Sequence, residues 1–231
     1  MHTSALENAE RFKDVYLKNS RPLIVEVGSQ IVENQSSLRS VFNYHSRYIG
    51  IDFQEKKGVD IVLEDAYSFP LASNFADVVV SSSCFEHSEF FWLTFLEMSR
   101  ICKEGGLIFM NTPSNGMFHR FPVDCWRFYP DSGVALQNWC RHNNHEITLL
   151  ESFTSFQRNS ECWNDLVAIF AKGNMESCHH PDRISAVFSD FKNGIVNGSD
   201  ALINPAVLSE DMARLTVASQ ISNGNIPVSW D

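Results

Sequence analysis

Five short stretches of this chain, 23–27, 47–52, 59–63, 76–81 and 107–111, are nearly continuous in apolar residues instead of alternating apolar with polar. A strand of that composition has to be covered on both faces, as happens in parallel sheets wrapped by helices. Helical patterns lie between the strands. Residues 5–18 place Leu6, Ala9, Phe12, Val15 and Tyr16 near helical spacing, and 36–42 is a short helix with a serine at its start. Residues 89–102 carry Phe91, Leu93, Phe95, Leu96, Met98 and Ile101 before Gly105-Gly106 breaks the pattern. Strands alternating with helices define an α/β fold with a mainly parallel sheet. After a loop at 112–130, a helix over 131–141 is followed by strands at 147–152 and 165–172, which suit an antiparallel hairpin at one sheet edge.

Composition narrows the function classes. With 231 residues, 44% hydrophobic and 20% charged, the chain can fill one good core, and wholesale disorder is excluded. The net charge is −10, and no basic stripe of the kind that neutralises phosphates interrupts it, so no nucleic-acid partner is expected. No apolar run approaches the roughly 20 residues a membrane helix needs, so no membrane insertion is expected either. Residues 7–13 are polar and charged where a secretory leader would be apolar. The six cysteines are scattered without a Cys-x-x-Cys pair and read as reduced thiols of a cytoplasmic protein. Cys178-His179-His180 lacks further ligands at zinc spacing, so no metal is expected. Residues 1–172 form the main domain, and 173–231 an extension packed on it. There Ser209-Glu210-Asp211 caps one more helix, whose Met212 and Leu215 are expected to pack against the body.

In an open α/β sheet, ligands bind beyond the carboxyl ends of the strands. Here the strand ends read Glu26-Val27-Gly28-Ser29, Gly50-Ile51-Asp52 with Phe53 following, Glu64-Asp65-Ala66, and Ser81-Ser82-Ser83-Cys84. Gly28 lets backbone approach a ligand closely. Asp52 can accept both ribose hydroxyl protons, and Asp65 can accept a hydrogen bond from a purine amine. A dinucleotide fingerprint is absent, because Gln30 and Glu33 stand where its second and third glycines belong. A P-loop lysine is absent too. The expected ligand is a single nucleoside.

These ordered motifs, with Asp77-Val78-Val79, Phe85-Glu86-His87 and the Lys103-Glu104-Gly105-Gly106 turn, resemble those of class I S-adenosylmethionine-dependent methyltransferases over about residues 22–172. The resemblance implies a Rossmann-like, doubly wound, seven-stranded sheet with the last strand antiparallel and helices on both faces. It implies S-adenosylmethionine as cofactor. Glu26, Gly28 and Ser29 would flank its methionine, Asp52 and Phe53 its ribose, Asp65 and Ala66 its adenine, and Ser83 its floor. The common Gly-x-Gly-x-Gly loop is reduced here to Gly28, in a variant Gly28-Ser29-Gln30 with Asn34 nearby.

The segment after the fifth strand, 112–130, should arch over the point of methyl delivery. It supplies His119, Asp124, two arginines and several aromatic rings. A hydroxyl acceptor needs a base, and histidine titrates in the right range. His119 is the first choice and His87 the second, with Asp124 to orient a histidine or bind substrate. Arg120 and Arg127 could hold a phosphate or carboxylate, and Trp126 and Tyr129 could stack on a sugar. The stretch His119-Arg120-Phe121-Pro122-Val123-Asp124-Cys125-Trp126-Arg127-Phe128 resembles methyltransferases linked to bacterial surface glycans and small metabolites. The expected activity is therefore O-methylation of a small molecule, foremost a sugar or polysaccharide hydroxyl, with a phosphate-type oxygen also allowed and a homodimer compatible with the chain. The rivals are an NAD-dependent sugar reductase or epimerase, and a non-catalytic S-adenosylmethionine-binding module.

Overall fold

Eight strands form one sheet in the order β3-β2-β1-β4-β5-β7-β6-β8. The computed structural model describes every residue except 19, 33–35, 43–46, 159–162, 174–179 and 228–231. In chain order the elements are α1 (Thr3–Tyr16), β1 (Leu23–Val27), α2 (Leu38–Phe42), β2 (Arg47–Asp52), β3 (Ile61–Val62), β4 (Ala76–Ser82), α3 (Phe91–Ile101) and β5 (Cys102–Pro113). They continue with α4 (Asp131–His142), β6 (Ile147–Ser155), β7 (Asp165–Lys172), α5 (Ile184–Val187), β8 (Phe191–Val196) and α6 (Glu210–Ser222).

The first five strands are mutually parallel, with β1 between β2 and β4. The order therefore reverses at β1 and β4, which opens a crevice above their carboxyl ends. Strand β7 inserts antiparallel between β5 and β6. The expected antiparallel hairpin thus exists, but not at the sheet edge, because β6 is flanked in turn by β8.

Residues of one strand divide between two cores because side chains alternate across a sheet. Val25, Val27, Val79, Ile108 and Met110 pack with Phe95, Met98 and Leu136 of α3 and α4. Ile24, Val78, Val80 and Phe109 pack with Phe12, Leu38 and Phe42 of α1 and α2. Helices cover both faces, which is why these strands carry apolar residues in succession.

The expected count of seven strands is corrected to eight. Phe191–Val196, inside the segment read as a weakly patterned extension, pairs antiparallel with β6 and extends the sheet. Its approach is held by Glu151, whose buried carboxylate accepts from the backbone N–H groups of Ile184 (2.7 Å) and Ser185 (3.0 Å). The helix expected after Ser209 is also present, and the Ser209 hydroxyl accepts from Met212 N–H at 3.3 Å. The packing expected of Met212 and Leu215 is not found: they are 53% and 72% exposed, and no residue of α6 is buried. Polar bonds seat α6 instead, with Glu210 and Asp211 accepting from Asn164, Gln157 and Asn115. No helix among the described residues is long and apolar enough to cross a membrane.

Candidate active site

A cavity of about 600 Å³ opens above the crevice, lined by the ends of β1, β2 and β4 and by the loop after β5. Glu26, Gly28, Asp52, Phe53, Ala66, Ser83, His87 and His119 all line it. Residues named from four strand ends and one distant loop thus share one space.

The part of the cavity expected to hold a nucleoside is built on backbone geometry. Gly28 sits at φ +79°, and a Cβ there would lie 2.6 Å from Cys84 Cβ and Sγ, so only glycine fits the loop at this point. Asp52 is 6% exposed and takes backbone N–H bonds from Phe53 (2.7 Å) and Gln30 (3.1 Å). Burial raises its pKa, against the lowering by those N–H groups. Glu26 accepts from the Tyr48 hydroxyl at 2.8 Å, and burial pushes its carboxyl up to about 7. The hydroxyls of Ser29 and Ser83 are buried and meet no hydrogen-bond partner among the described residues. The unpartnered Ser83 hydroxyl lines the same cavity as the buried Asp52 carboxylate, which suits a ligand rich in hydroxyls and nitrogens.

Two cofactor expectations look different in three dimensions. Ala66 lines the cavity, but Asp65 does not: it is exposed, and its carboxylate accepts from Tyr67 N–H at 2.8 Å, closing its own turn. Ser29 lies behind the cavity wall, fully buried. Glu33 and Asn34 lie outside the described residues.

In the same cavity, His87 and His119 meet edge to face with ring centroids 4.9 Å apart. His87 follows β4 and His119 lies on the long loop, which is tied down where His87 Nδ1 meets Val123 O at 2.6 Å. Burial lowers the His87 pKa. Between them and the sheet lies Glu86, 1% exposed, accepting from Thr112 Oγ1 at 3.1 Å; burial pushes its carboxyl up to about 7. Gly116, at φ +112°, lets the loop lie directly on Trp163, where a Cβ would meet the indole at 2.0 Å.

Asp124 and the arginines hold the loop rather than line the cavity. Arg127 donates two bonds to Asp124 (2.6 and 2.9 Å), and this pairing drops the Asp124 carboxyl to about 2. Asp124 also accepts from His119 backbone N–H at 2.7 Å. With its guanidinium so engaged, Arg127 is not free for the expected anion. Arg120 and Tyr129 are exposed outside the cavity, and Trp126 donates its indole N–H to Ser88 O at 2.9 Å. No lysine or arginine lines the cavity among the described residues, whereas Glu26, Asp52, Glu86 and Glu89 do.

One site residue had no sequence signal. His2 lines the cavity with Nε2 2.8 Å from the buried Asp165, which also accepts from Ser4 at 2.9 Å. Trp163 stands between the rings of His2 (5.8 Å) and His119 (5.0 Å). The 163 residues separating His2 from Asp165 hide that pairing in the sequence.

The parallel sheet reversing at β1 and β4, the glycine turn after β1 and the buried carboxylate ending β2 match a Rossmann-like methyltransferase fold, and the matching domain and a neighbour solved with S-adenosylhomocysteine support S-adenosylmethionine as the cofactor. Residues 25–110 match the family model described as a methyltransferase domain. Among solved structures, the chain is similar to the 1,6-didemethyltoxoflavin-N1-methyltransferase of Burkholderia thailandensis, solved with S-adenosylhomocysteine (TM-score 0.57, 12% identity, 74% of this chain and 79% of that one). It is also similar to the YcgJ protein of Bacillus subtilis (TM-score 0.51, 10% identity, 75% and 100%). The cyclase SpnF is a further likeness (TM-score 0.51, 12% identity, 73% and 81%). At these identities the likeness establishes the fold. No curated protein matches the chain in sequence.

Proposed function

We propose that the protein transfers the methyl group of S-adenosylmethionine to an oxygen of a neutral small molecule, foremost a hydroxyl of a sugar or polysaccharide unit. The observation that carries this reading is the Glu86–His87–His119 cluster, which lines the same cavity as Asp52. A hydroxyl must lose its proton as the methyl arrives, and paired imidazoles beside a carboxylate can take it. His119, on the loop, is the first choice for that role and His87 the second.

The bound cofactor supplies a methyl group already activated by its sulfonium. The chain's own task is then alignment and deprotonation. Asp52 orients the ribose, Gly28 admits the methionine portion, and Ser83 offers a hydroxyl at the floor. Asp52 brings a carboxylate to the cavity, which favours a cationic cofactor. The same field, with no lining lysine or arginine to answer it, disfavours a phosphate-bearing acceptor. Phe53, Tyr67, Phe121 and Trp163 give flat apolar walls suited to a sugar ring.

The Burkholderia relative methylates nitrogen, which supports a second reading with a nitrogen acceptor. Such an acceptor has less need of the histidines. Incubation with isotopically labelled S-adenosylmethionine and pools of sugars and amines, read by mass spectrometry, separates the two. Labelled methyl ethers, formed at least 100-fold more slowly by His119→Ala, are expected. Labelled amines formed at unchanged rate by that variant would overturn the oxygen assignment.

A further inference from the structure

We infer that Glu86, His87 and His119 form a binding site for a divalent transition-metal ion of the zinc type, open on the acceptor side of the cavity. The inference rests on the proposed reaction for the ion's role, though not for its binding.

One potential ligand atom from each of the three residues lies within 4.8 Å of the others. His87 Nε2 is already 3.7 Å from Glu86 Oε1. Ligands about 2.1 Å from a tetrahedral ion stand roughly 3.4 Å apart, so the cluster has to draw in by at most about 1.4 Å. Two imidazoles and one carboxylate suit zinc-like ions, whereas calcium and magnesium prefer oxygen alone.

The partners behind the ligands are in place as well. A metal-bound histidine normally commits its other nitrogen to a carbonyl or carboxylate. His87 does this through Nδ1 to Val123 O at 2.6 Å, which leaves Nε2 its lone pair. His119 Nδ1 lies 3.3 Å from Met117 O and 3.5 Å from Asp124 Oδ2, and Arg127 clamps that carboxylate. Thr112 donates to Glu86 Oε2 at 3.1 Å. Each ligand thus has a supporting bond from a different part of the structure. All three residues line the cavity, so three protein ligands leave a coordination position facing the acceptor.

The ion has two uses. It fastens the loop bearing His119 to the end of β4, closing the acceptor end. It also lowers the pKa of a coordinated acceptor hydroxyl, so that in the metal-loaded chain His87 and His119 serve as ligands and the ion takes over the task of the histidine base. The O–H bond then gives its proton to water at the cavity mouth, the new O–CH3 bond forms and the S–CH3 bond breaks. The products are a methyl ether and S-adenosylhomocysteine.

The test uses the full chain, stripped with chelator and titrated with Co2+ and, by calorimetry, Zn2+. One equivalent is expected to bind, with a visible Co2+ band of four- or five-coordinate intensity. Glu86→Gln and His119→Ala should each weaken binding at least 100-fold while keeping a cooperative melt and S-adenosylmethionine affinity within about threefold. A control replacing His179 and His180 by alanine should keep the ion. No stoichiometric binding, or equal binding by folded Glu86→Gln and His119→Ala, overturns the site. Loss of the ion in the His179/His180 variant overturns it too. Metal binding without S-adenosylmethionine binding would keep the site and remove the methyltransferase reading; the reverse would remove the site alone.

Discussion

Asp52 illustrates how much one side chain does here. It terminates β2, is held by the N–H groups of Phe53 and Gln30, and lines the cavity proposed for the cofactor. Hydrogen bonds to a charged partner contribute about 1.5–3 kcal/mol. Asp52→Ala should therefore weaken S-adenosylmethionine binding roughly 10–150-fold in calorimetry, and unchanged affinity would detach Asp52 from the ribose. Glu26 makes a pH prediction. Its carboxyl, protonated up to about pH 7 in the fold, ionises near ~4.3 when unfolded. Between those values the folded chain holds a proton that the unfolded chain has released, so its stability falls as pH rises through the window and stays reduced above it. Glu86 acts in the same window, whereas Asp124 and Asp190, both lowered to about 2, act below pH 4. Glu26→Gln should cut the drop in Tm between pH 5 and pH 8 by roughly 2–8 °C. A drop equal to that of the wild type would show that Glu26 is not held protonated.

Elements were legible in the sequence where burial dictated composition. Strands β1, β4 and β7 sit between other strands, and their fully or nearly fully buried residues gave them away. Strand β8 was not legible. It is the edge strand of the sheet, met on its outer side only by a single bridge from Gly194 to Ile203, and Lys192 and Asn193 follow Phe191, so its apolar signal is diluted. Strand β3 shortened to Ile61–Val62, since the Asp60 carboxylate already accepts from Gly50 N–H at 2.7 Å and pairs with Arg39. In α6 the apolar residues Met212 and Leu215 mimicked a buried stripe, but the bonds of Glu210 and Asp211 seat the helix without it. Leu215→Ser should then change stability by less than about 0.5 kcal/mol in denaturant melts. Phe12→Ala, which empties a fully buried position between Phe42 and Phe109, should cost about 3–5 kcal/mol. A large loss from Leu215→Ser would place α6 against a surface it does not touch here.

Across the whole molecule, the shared cavity of Glu26, Gly28, Asp52, Ala66 and Ser83 was readable because these residues cluster at strand ends, and topology fixes where strand ends meet. Asp65 departed because a short acid can satisfy its own turn more easily than a distant ligand. The acceptor half was only partly readable. His87 and His119 stood out as residues, but their meeting depends on the loop folding back onto Val123, and His2 arrives from the far end of the chain. Long-range pairings of this kind leave no periodicity to read. The most direct measurement is a crystal structure of the chain with S-adenosylhomocysteine. The ribose hydroxyls should lie within hydrogen-bond distance of the Asp52 carboxylate, the methionine portion should run past Gly28, and the sulfur should face His87 and His119. A nucleoside bound elsewhere, or turned so that its sulfur points away from both histidines, would contradict the assignment.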